Sequence, residues 1–331
     1  MSRVGIGLAG LGRMGRIHAA ALAGRCSVAS LACVYDANPD AAQAAGAEFD
    51  VPWTTSYEEL LDRVGAVAIA SPTGTHAPLT VQAAAAGRHV FCEKPISLDR
   101  ATTVSVLDAV DAAGVVFQVG FHRRSDPDWA AAAARIRAGE LGEVTLFRTS
   151  LRDMTPPNPA FLSGSGGFFL DVVVHDLDVA RWLVGEVVEV SAHGAASDPA
   201  FAELGDIDTA VTVLRFANGA LGVIDNSRSA RYGYECSTEV MGTLATARID
   251  APHVRGVEWR TPGLASRELA RDFEERYPWA YAAELDAFAR AVRDGTPPPV
   301  TGRDALAAFD LALAADESWR TGQPVSVKEN P

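Results

Sequence analysis

The chain has 331 residues, of which 48% are hydrophobic, 21% charged and 8% aromatic. Because a typical domain has roughly 150 residues, this length predicts two domains and excludes a disulfide-stapled miniprotein, and the composition excludes wholesale disorder. The 42 acidic residues outnumber the 29 basic ones, for a formal net charge of −13. Nucleic acid and anionic membrane surfaces are therefore poor candidate partners.

The apolar runs fall far short of the ~20 residues that a membrane-spanning helix needs. A strand pattern begins at once, at Met-Ser-Arg-Val-Gly-Ile-Gly, and leaves no room for a signal peptide, so we expect a cytoplasmic protein. The cysteines have no C-x-x-C spacing, and we expect neither zinc nor disulfides but reduced, packed thiols: Cys26, Cys33, Cys92 and Cys236.

Strands alternate with helices in the first part of the chain. Strands are predicted at Arg3–Leu8, Val28–Tyr35, Ala66–Ala70, His89–Cys92 and Val115–Val119. The helices between them are predicted at 12–23, 39–45, 78–86 and 101–113. This alternation is typical of parallel β-α-β units with helices on both faces of the sheet. We therefore predict an α/β, doubly wound parallel sheet in residues 1–121.

The remainder of the chain has a different pattern, in which strands follow one another directly. They are predicted at Val144–Leu151, Val187–His193, Thr209–Phe216, Ala220–Asp225 and Ser237–Met241. The pair Asn218-Gly219 suits a type I′ hairpin turn. Helices are predicted at 166–184, with a Gly/Ser-rich start at 163–167, and at 280–294 and 303–320. The pattern predicts an α+β domain over residues 122–331 with a large, mostly antiparallel sheet, and the last helices can pack back on the first domain.

A glycine-rich turn, Gly10-Leu-Gly12-Arg-Met-Gly15, joins the first strand to the first helix. Glycines at these places permit a tight turn and let backbone N–H groups approach a pyrophosphate at the positive end of the helix. Asp36 ends the second strand, 24 residues after Gly12, where its carboxylate can accept hydrogen bonds from an adenosine ribose. The acid favours NAD, while Arg13 beside the phosphates leaves NADP open. The alternative is a glycine turn used only for packing.

Lys94 follows a parallel strand at its carboxyl end, where open α/β sheets bind ligands. Lys94 and Lys328 are the two lysines of the chain, and the other 27 basic residues are arginines. A lysine retained in such a chain suggests a role for a compact ammonium that can shift its pKa and share a proton with a substrate hydroxyl. The alternative is a surface lysine without a role.

The segment Ser71-Pro-Thr73-Gly-Thr-His76 follows the strand at 66–70 and supplies hydroxyl and ring donors near a dinucleotide. Thr75 is equally well explained as the N-cap of the next helix. We place His76 near the cofactor without a catalytic role.

Asp171 and His175 are four residues apart on one predicted helix, so that both lie on one face, with Asp178 three residues further on. A carboxylate beside an imidazole orients the ring and favours its charged form, as a base that takes a hydroxyl proton requires. A structural histidine is one alternative. A metal site is another, although one histidine with carboxylates and no thiol is a weak zinc site.

The glycine turn, Glu93-Lys94-Pro95, Gly120-Phe-His-Arg-Arg124 and Asp171-x-x-x-His175 together resemble the Gfo/Idh/MocA oxidoreductase family over essentially the whole chain. The resemblance implies a Rossmann domain, a C-terminal α+β domain whose open sheet packs against other subunits in a dimer or tetramer, and catalysis by Lys94, Asp171 and His175. Within the family, the chain is most like inositol 2-dehydrogenases.

On this basis we expect NAD-dependent oxidation of a ring secondary alcohol of a polyol or sugar, with myo-inositol as the first candidate. His175 takes the hydroxyl proton, Asp171 orients it, and Lys94 steadies the alkoxide, which requires that Lys94 and His175 converge over the nicotinamide. Residues expected to bind cofactor are Gly10, Gly12, Arg13, Met14, Gly15, Asp36, Ser71, Thr73, His76, Glu93 and Lys94. Those expected to bind substrate hydroxyls are Arg124, Asp153, Asn158 and Tyr234, with Tyr232 as the alternative tyrosine.

The family resemblance leaves other functions open. The chain could be another sugar dehydrogenase, a glycoside hydrolase that retains NAD, or an NAD-binding regulator without turnover. Such a regulator is expected to have lost its acid and base groups, whereas this chain keeps all three. A hydrolase would release no net NADH.

Overall fold

The computed structural model describes residues 3–162, 164–250 and 257–327. The chain divides into two compact units. The first contains Met1–Asp126 and Pro278–Leu306, and the second contains Pro127–Tyr277 and Ala307–Pro331. Ser163, in the predicted helix start, and Lys328 lie outside the described residues. None of the helices described is long and apolar enough to span a membrane.

The strands of the described residues are, in chain order, β1 Val4–Ala9, β2 Ala29–Tyr35, β3 Trp53–Thr54, β4 Ala66–Ile69, β5 His89–Glu93, β6 Phe117–Gly120, β7 Val144–Arg152, β8 Val187–Ala195, β9 Thr209–Phe216, β10 Leu221–Ser227, β11 Glu235–Gly242, β12 Thr246–Ile249, β13 Glu258–Thr261, β14 Leu264–Arg267 and β15 Val325–Ser326. The helices are α1 Arg13–Gly24, α2 Pro39–Phe49, α3 Tyr57–Arg63, α4 His76–Ala85, α5 Arg100–Ala113, α6 Pro127–Arg137, α7 Pro159–Leu162, α8 Val174–Val184, α9 Pro199–Glu203, α10 Phe273–Arg276, α11 Pro278–Asp294 and α12 Gly302–Thr321.

The first unit contains a six-stranded parallel sheet in the order β3-β2-β1-β4-β5-β6. This confirms the predicted doubly wound sheet, and the strand order reverses between β1 and β4, the place where such sheets bind ligands. Apolar residues fill both β1 and β4, since helices cover the two faces of the sheet. The short strand β3 and helix α3 were not predicted, because each has too few residues to show a clear repeat of hydrophobic positions.

Helix α11, although late in the chain, packs in the core of the first unit. Its residues Leu285 and Phe288 are fully buried and share one hydrophobic cluster with Ile6 and Leu8 of β1. On the same helix the carboxylate of Asp286 accepts hydrogen bonds from the backbone N–H groups of residues 27, 28 and 29 at 2.8–2.9 Å. This carboxylate therefore fixes the start of β2 to α11.

The second unit contains a seven-stranded sheet in the order β12-β11-β7-β10-β9-β8-β15. Every neighbouring pair is antiparallel except β7 with β10, which is parallel. The prediction of a mostly antiparallel sheet is therefore confirmed. Strand β9 alternates buried and exposed residues over its whole length, as expected for a sheet with one covered face.

Two local predictions were wrong in detail. The β9–β10 connection is not a type I′ turn, because Gly219 has φ +87° while Asn218 is outside the positive-φ region. The N–H of Gly219 donates to the carbonyl of Phe216 at 3.0 Å, as in a type I turn followed by a left-handed glycine. The predicted helix at 166–184 is not regular either, since Phe169–Val173 forms a π-helical turn before α8 begins.

Replacing Asp286 with alanine is expected to lower the free energy of unfolding by about 2 kcal/mol or more, because several buried N–H groups lose their acceptor. The measurement is urea unfolding followed by circular dichroism. Asp294 ends the same helix and pairs with Arg293 at the surface, so Asp294→Ala is the control and should change stability by less than about 0.5 kcal/mol. Equal losses in the two variants would contradict the role given to Asp286.

Candidate functional site

The glycine turn after β1 is fixed by close backbone contacts. Gly10 has φ +95°, and a Cβ atom there would lie 2.5 Å from the backbone of Ser71. A Cβ atom on Gly15 would lie 1.9 Å from the carbonyl oxygen of Gly10, whereas one on Gly12 would meet nothing within 4 Å. Gly10 and Gly15 thus shape the turn, and Gly12 leaves open space at the start of α1, where a pyrophosphate could approach the backbone.

Asp36 lies directly behind this turn, immediately after β2. One carboxylate oxygen accepts the N–H of Leu11 at 2.8 Å, and the other accepts the N–H of Asn38 at 2.8 Å. The carboxylate is thereby held against the glycine turn with lone pairs left for ribose hydroxyls, and its charge opposes a 2′-phosphate. Arg13 and Met14 begin α1, with Arg13 exposed and Met14 half-buried.

The loop after β4 carries Ser71 and Thr73, both half-buried. The hydroxyl of Ser71 is hydrogen-bonded to that of Thr75 at 2.6 Å, and Thr75 also donates to the carbonyl of Pro72 at 2.7 Å. The side chain of Thr75 makes no capping hydrogen bond to α4. Thr75 thus occupies the predicted N-cap position of α4, but its hydroxyl stabilises the preceding loop rather than the helix end.

His76, the first residue of α4, is buried between two backbone carbonyls. Its Nδ1 lies 2.8 Å from the carbonyl oxygen of Pro95, and its Nε2 lies 2.8 Å from that of Ser71. Since a carbonyl oxygen only accepts, both ring nitrogens must donate, and this requires the charged imidazolium. Burial lowers the pKa of His76, but the neighbouring Cys92 and the two carbonyls outweigh it and raise the pKa to about 9.

His76 consequently joins the loops that follow β4 and β5. The second of these loops carries Lys94, which is half-buried and precedes a cis peptide bond to Pro95. The carboxylate of Glu93 accepts the backbone N–H of Lys94 at 3.2 Å through one oxygen and lies 2.6 Å from Nε2 of His18 through the other. A Cβ atom on Gly120 would lie 2.9 Å from this carboxylate, so a larger residue at the end of β6 would require Glu93 to move.

Arg124 lies in the first unit, in a short 3-10 turn after β6. Its side chain is buried, and its Nη2 atom is 3.2 Å from Oδ1 of Asp304. Burial raises the pKa of Asp304, but Arg124 and Thr301 outweigh it and lower the pKa below its usual value. The side chain of Arg124 is thus held by Asp304, and its contact with a substrate stays a prediction.

In the second unit, Asp171 lies within the π-helical turn, and His175 is at the start of α8. An oxygen of Asp171 is 2.5 Å from Nη2 of Arg228, whose side chain is 1% exposed. The guanidinium also lies 5.3 Å from the ring centre of Phe168 and 5.9 Å from that of Phe201. A buried arginine between two aromatic rings therefore fixes the carboxylate of Asp171, and π-helical turns of this kind recur at functional sites.

The parallel pairing of β7 with β10 brings further polar residues to one end of the second sheet. Asp153 follows β7, and its N–H donates to the carbonyl of Ser227 at the end of β10. Tyr234 precedes β11, which begins opposite the end of β7. Two substrate-binding candidates, Asp153 and Tyr234, therefore share this end of the sheet with Arg228.

The two candidate tyrosines differ in their surroundings. Tyr234 is 4% exposed and packs edge to face against Tyr277 at 6.2 Å between ring centres. Tyr232 is 60% exposed, and its hydroxyl donates to Glu235 at 2.7 Å. Asn158 lies exposed before α7. Burial thus favours Tyr234 as an oriented side chain.

Comparison with known proteins agrees with these features. Residues 4–121 match the oxidoreductase family with an NAD-binding Rossmann fold, and residues 129–248 match the GFO/IDH/MocA C-terminal domain. The fold and the glycine turn thus define an NAD-binding oxidoreductase. The chain belongs to the Gfo/Idh/MocA family.

Individual relatives match over nearly their whole length. The scyllo-inositol 2-dehydrogenase (NAD(+)) of Bacillus subtilis is 37% identical, covering 96% of this chain and 94% of the relative. The myo-inositol 2-dehydrogenase of Thermotoga maritima is 38% identical, covering 98% of both. A crystal structure of the Lactobacillus casei scyllo-inositol dehydrogenase with NAD(H) and scyllo-inositol has a TM-score of 0.91 at 29% identity, covering 98% of this chain and 99% of that one.

Sequence reasoning missed three buried residues that support the site, His18, Arg228 and Glu284. Arg228 follows a strand and reads in sequence as a surface residue. His18 and Glu284 lie on the buried faces of α1 and α11, and a charged residue among apolar ones at helical spacing was a signal that could have identified Glu284.

His76→Gln should lose stability relative to the unaltered protein, mostly at low pH. The raised pKa means that the native state holds a proton that the unfolded state releases, so this contribution is complete below pH 6.5 and disappears as the pH rises through about 9. We expect a difference on the order of 2 kcal/mol at pH 6 that shrinks by pH 10. Urea unfolding at both pH values measures it, with the exposed His193→Gln as control. A difference that is independent of pH would refute the charged His76.

Arg228→Met is expected to destabilise the protein by about 3 kcal/mol, because Asp171 then keeps a largely buried charge without its guanidinium. Adding Asp171→Asn should recover part of the loss, and a double-mutant cycle in urea measures the coupling between the two residues. Arg293→Met, at an exposed ion pair, is the control. Strictly additive effects of the two substitutions would show that Arg228 does not stabilise Asp171.

Proposed function

We propose that this NAD-dependent polyol dehydrogenase oxidises a ring secondary alcohol of an inositol to the ketone, with myo-inositol as the first substrate to test. The observation that supports the proposal is the presence of three groups with acid or base chemistry at the ends of defined elements. Lys94 stands at the carboxyl end of β5, and Asp171 and His175 occupy successive helical turns of the second unit. The inositol dehydrogenases among the relatives support the substrate class.

The residues that would hold NAD are those of the glycine turn together with Asp36. The open space over Gly12 and the amide-anchored carboxylate of Asp36 fit a pyrophosphate and an adenosine ribose with free hydroxyls. Ser71, Thr73 and His76 line the adjoining loop, where His76 fixes the backbone. When bound, NAD+ supplies the acceptor for the hydride that leaves the substrate carbon.

Residues of the protein accept the hydroxyl proton and stabilise the alkoxide. His175 accepts it as general base, and Asp171 orients the imidazole while Arg228 holds Asp171 in place. The ammonium of Lys94 stabilises the alkoxide as negative charge develops on oxygen. We assign the neighbouring hydroxyls of the ring to Asp153, Asn158 and Tyr234. Arg124, which is paired with Asp304, is assigned to the same set of hydroxyls.

The test follows absorbance of NADH and NADPH while the purified protein is supplied with myo-inositol, scyllo-inositol, other polyols and aldoses. We expect NADH formation with an inositol and much less NADPH formation. Lys94→Ala and His175→Ala should each lower kcat by at least about 100-fold, which is the usual scale for the loss of a general base or of a charge-stabilising donor. Titration of NADH by fluorescence checks that His175→Ala still binds the cofactor.

Other results would identify other functions. Activity of both variants near that of the unaltered protein would reject the residue assignment. NAD binding without turnover of any polyol would indicate a regulator, and cleavage of glycosides without net NADH release would indicate a hydrolase. The exposed Arg13→Gln variant provides a separate test of cofactor choice, since it should weaken NADP more than NAD if Arg13 tolerates the 2′-phosphate.

A further inference from the structure

Three ionisable side chains meet in the interior of the first unit, behind the turn that carries Lys94. They are His18 of α1, Glu93 of β5 and Glu284 of α11, and all three are buried. A ring nitrogen of His18 and one oxygen from each carboxylate lie within 4.8 Å of one another. The function proposed above uses none of them as a reacting group.

Glu284 is the unusual member of this cluster. It is 1% exposed, and neither of its carboxylate oxygens has a hydrogen-bond partner among the described residues. A second carboxylate, that of Glu93, lies in the same cluster. Burial in the interior, followed by the charge of Glu93, raises the pKa of Glu284 well above its usual value.

Two buried carboxylates can be neutralised by a metal ion or by a proton. Ligands of a tetrahedral ion with bonds of about 2.0 Å lie about 3.3 Å apart. Nε2 of His18 and Oε1 of Glu93 are only 2.6 Å apart, which is a hydrogen-bonding distance. This contact therefore favours a proton over a metal ion in the cluster.

We propose that Glu284 is a neutral carboxylic acid at neutral pH, and that its retained proton lets the charged Glu93 stay buried at the end of β5. Glu93 accepts the N–H of Lys94 through one oxygen and contacts His18 through the other. Glu284 is thus a positioning residue for the turn that bears Lys94. The link to catalysis rests on the function proposed above, while the protonation does not.

The groups facing Glu284 come from several elements. Besides His18 and Glu93, they include Cys26, whose pKa is raised to about 12 by burial first, then by Asp286 and, in smaller part, by Glu284, and Tyr281, whose ring packs on His18 at 5.7 Å between centres. With its raised pKa, Cys26 is neutral near pH 7. The pH dependence below is therefore that of Glu284, with Glu93 and His18 as the other titratable members of its cluster.

The experiment compares the full-length protein with Glu284→Gln, which keeps the shape and the neutral charge of the protonated acid. The first readout is infrared difference spectroscopy at pH 7.5, where exposed carboxyl groups are ionised. We expect the C=O band of a protonated carboxylic acid in the unaltered protein and its absence in Glu284→Gln. Glu58→Gln, at an exposed position of α3, should leave the band unchanged.

The second readout is the dependence of Tm on pH. The native state holds a proton that the unfolded chain releases above about pH 4.3, so Glu284 makes the unaltered protein lose stability with rising pH. Glu284→Gln lacks this loss. Its Tm should therefore rise relative to that of the unaltered protein by about 2 °C for each pH unit between pH 5 and 8.

A third readout tests positioning. Glu284→Leu removes the polar group that lies within 4.8 Å of a Glu93 oxygen, so the buried charge of Glu93 loses a stabilising dipole. Its kcat for inositol oxidation should be at least about tenfold below that of Glu284→Gln, with a smaller change in KM for NAD+. Equal kcat values in the two variants would overturn the positioning role. If the unaltered protein oxidises no inositol, the proposed function fails, while the spectroscopic result still decides the protonation.

The proposal that Glu284 is protonated is overturned if the unaltered protein shows no carboxylic acid band at pH 7.5. This result holds even if Glu284→Gln does not fold. It is also overturned if Glu284→Gln loses stability relative to the unaltered protein as the pH rises. A metal site would instead appear as one equivalent of bound metal in the purified protein, or as a rise in Tm on adding Zn²⁺ or Mn²⁺ that is absent from Glu284→Gln.

Discussion

The hydrogen bond between His18 and Glu93 ties the helix that starts at the glycine turn to the strand that ends at Lys94. Both partners are buried, so the strength of this contact is little reduced by solvent. The contact helps to fix the distance between the glycine turn, where a pyrophosphate would lie, and Lys94. His76 continues the connection by holding the adjacent loops through Ser71 and Pro95. Buried side chains, in addition to backbone hydrogen bonds, therefore stabilise the edge of the sheet at which NAD would bind.

The second unit uses a comparable arrangement with different residues. Arg228 is buried between aromatic rings and holds Asp171, much as the cluster around Glu93 supports the turn with Lys94. In each unit a residue assigned to the chemistry, Lys94 or Asp171, is half-buried, and the charged residue that supports it, Glu93 or Arg228, is buried. This arrangement limits the movement of the reacting group and leaves its functional atoms accessible.

The sequence was sufficient for the fold and insufficient for the contacts that support the candidate site, whose residues stay a prediction. Hydrophobic residues recur every two residues in half-buried strands and about every 3.6 residues in helices, and such repeats can be recognised in short stretches of sequence. The strands and helices of the first unit could therefore be located from them. The partners of Asp171 and Glu93 could not be located in this way, because Arg228 and Glu284 are distant in sequence and become neighbours only when the chain folds. The irregular turn at 169–173 also escaped prediction, since its residues have the same apolar pattern as a regular helix.

The parallel pair β7–β10 has a consequence for how such an enzyme can diversify. Because both strands end at the same edge, the loop after β7 can gain or lose residues without shifting the register of the central pairing. A change in this loop, which begins with Asp153, can therefore alter the residues at that edge without altering the pairing of β7 with β10. With an antiparallel pairing, β7 and β10 would end at opposite edges of the sheet, and Asp153 and Arg228 would be separated.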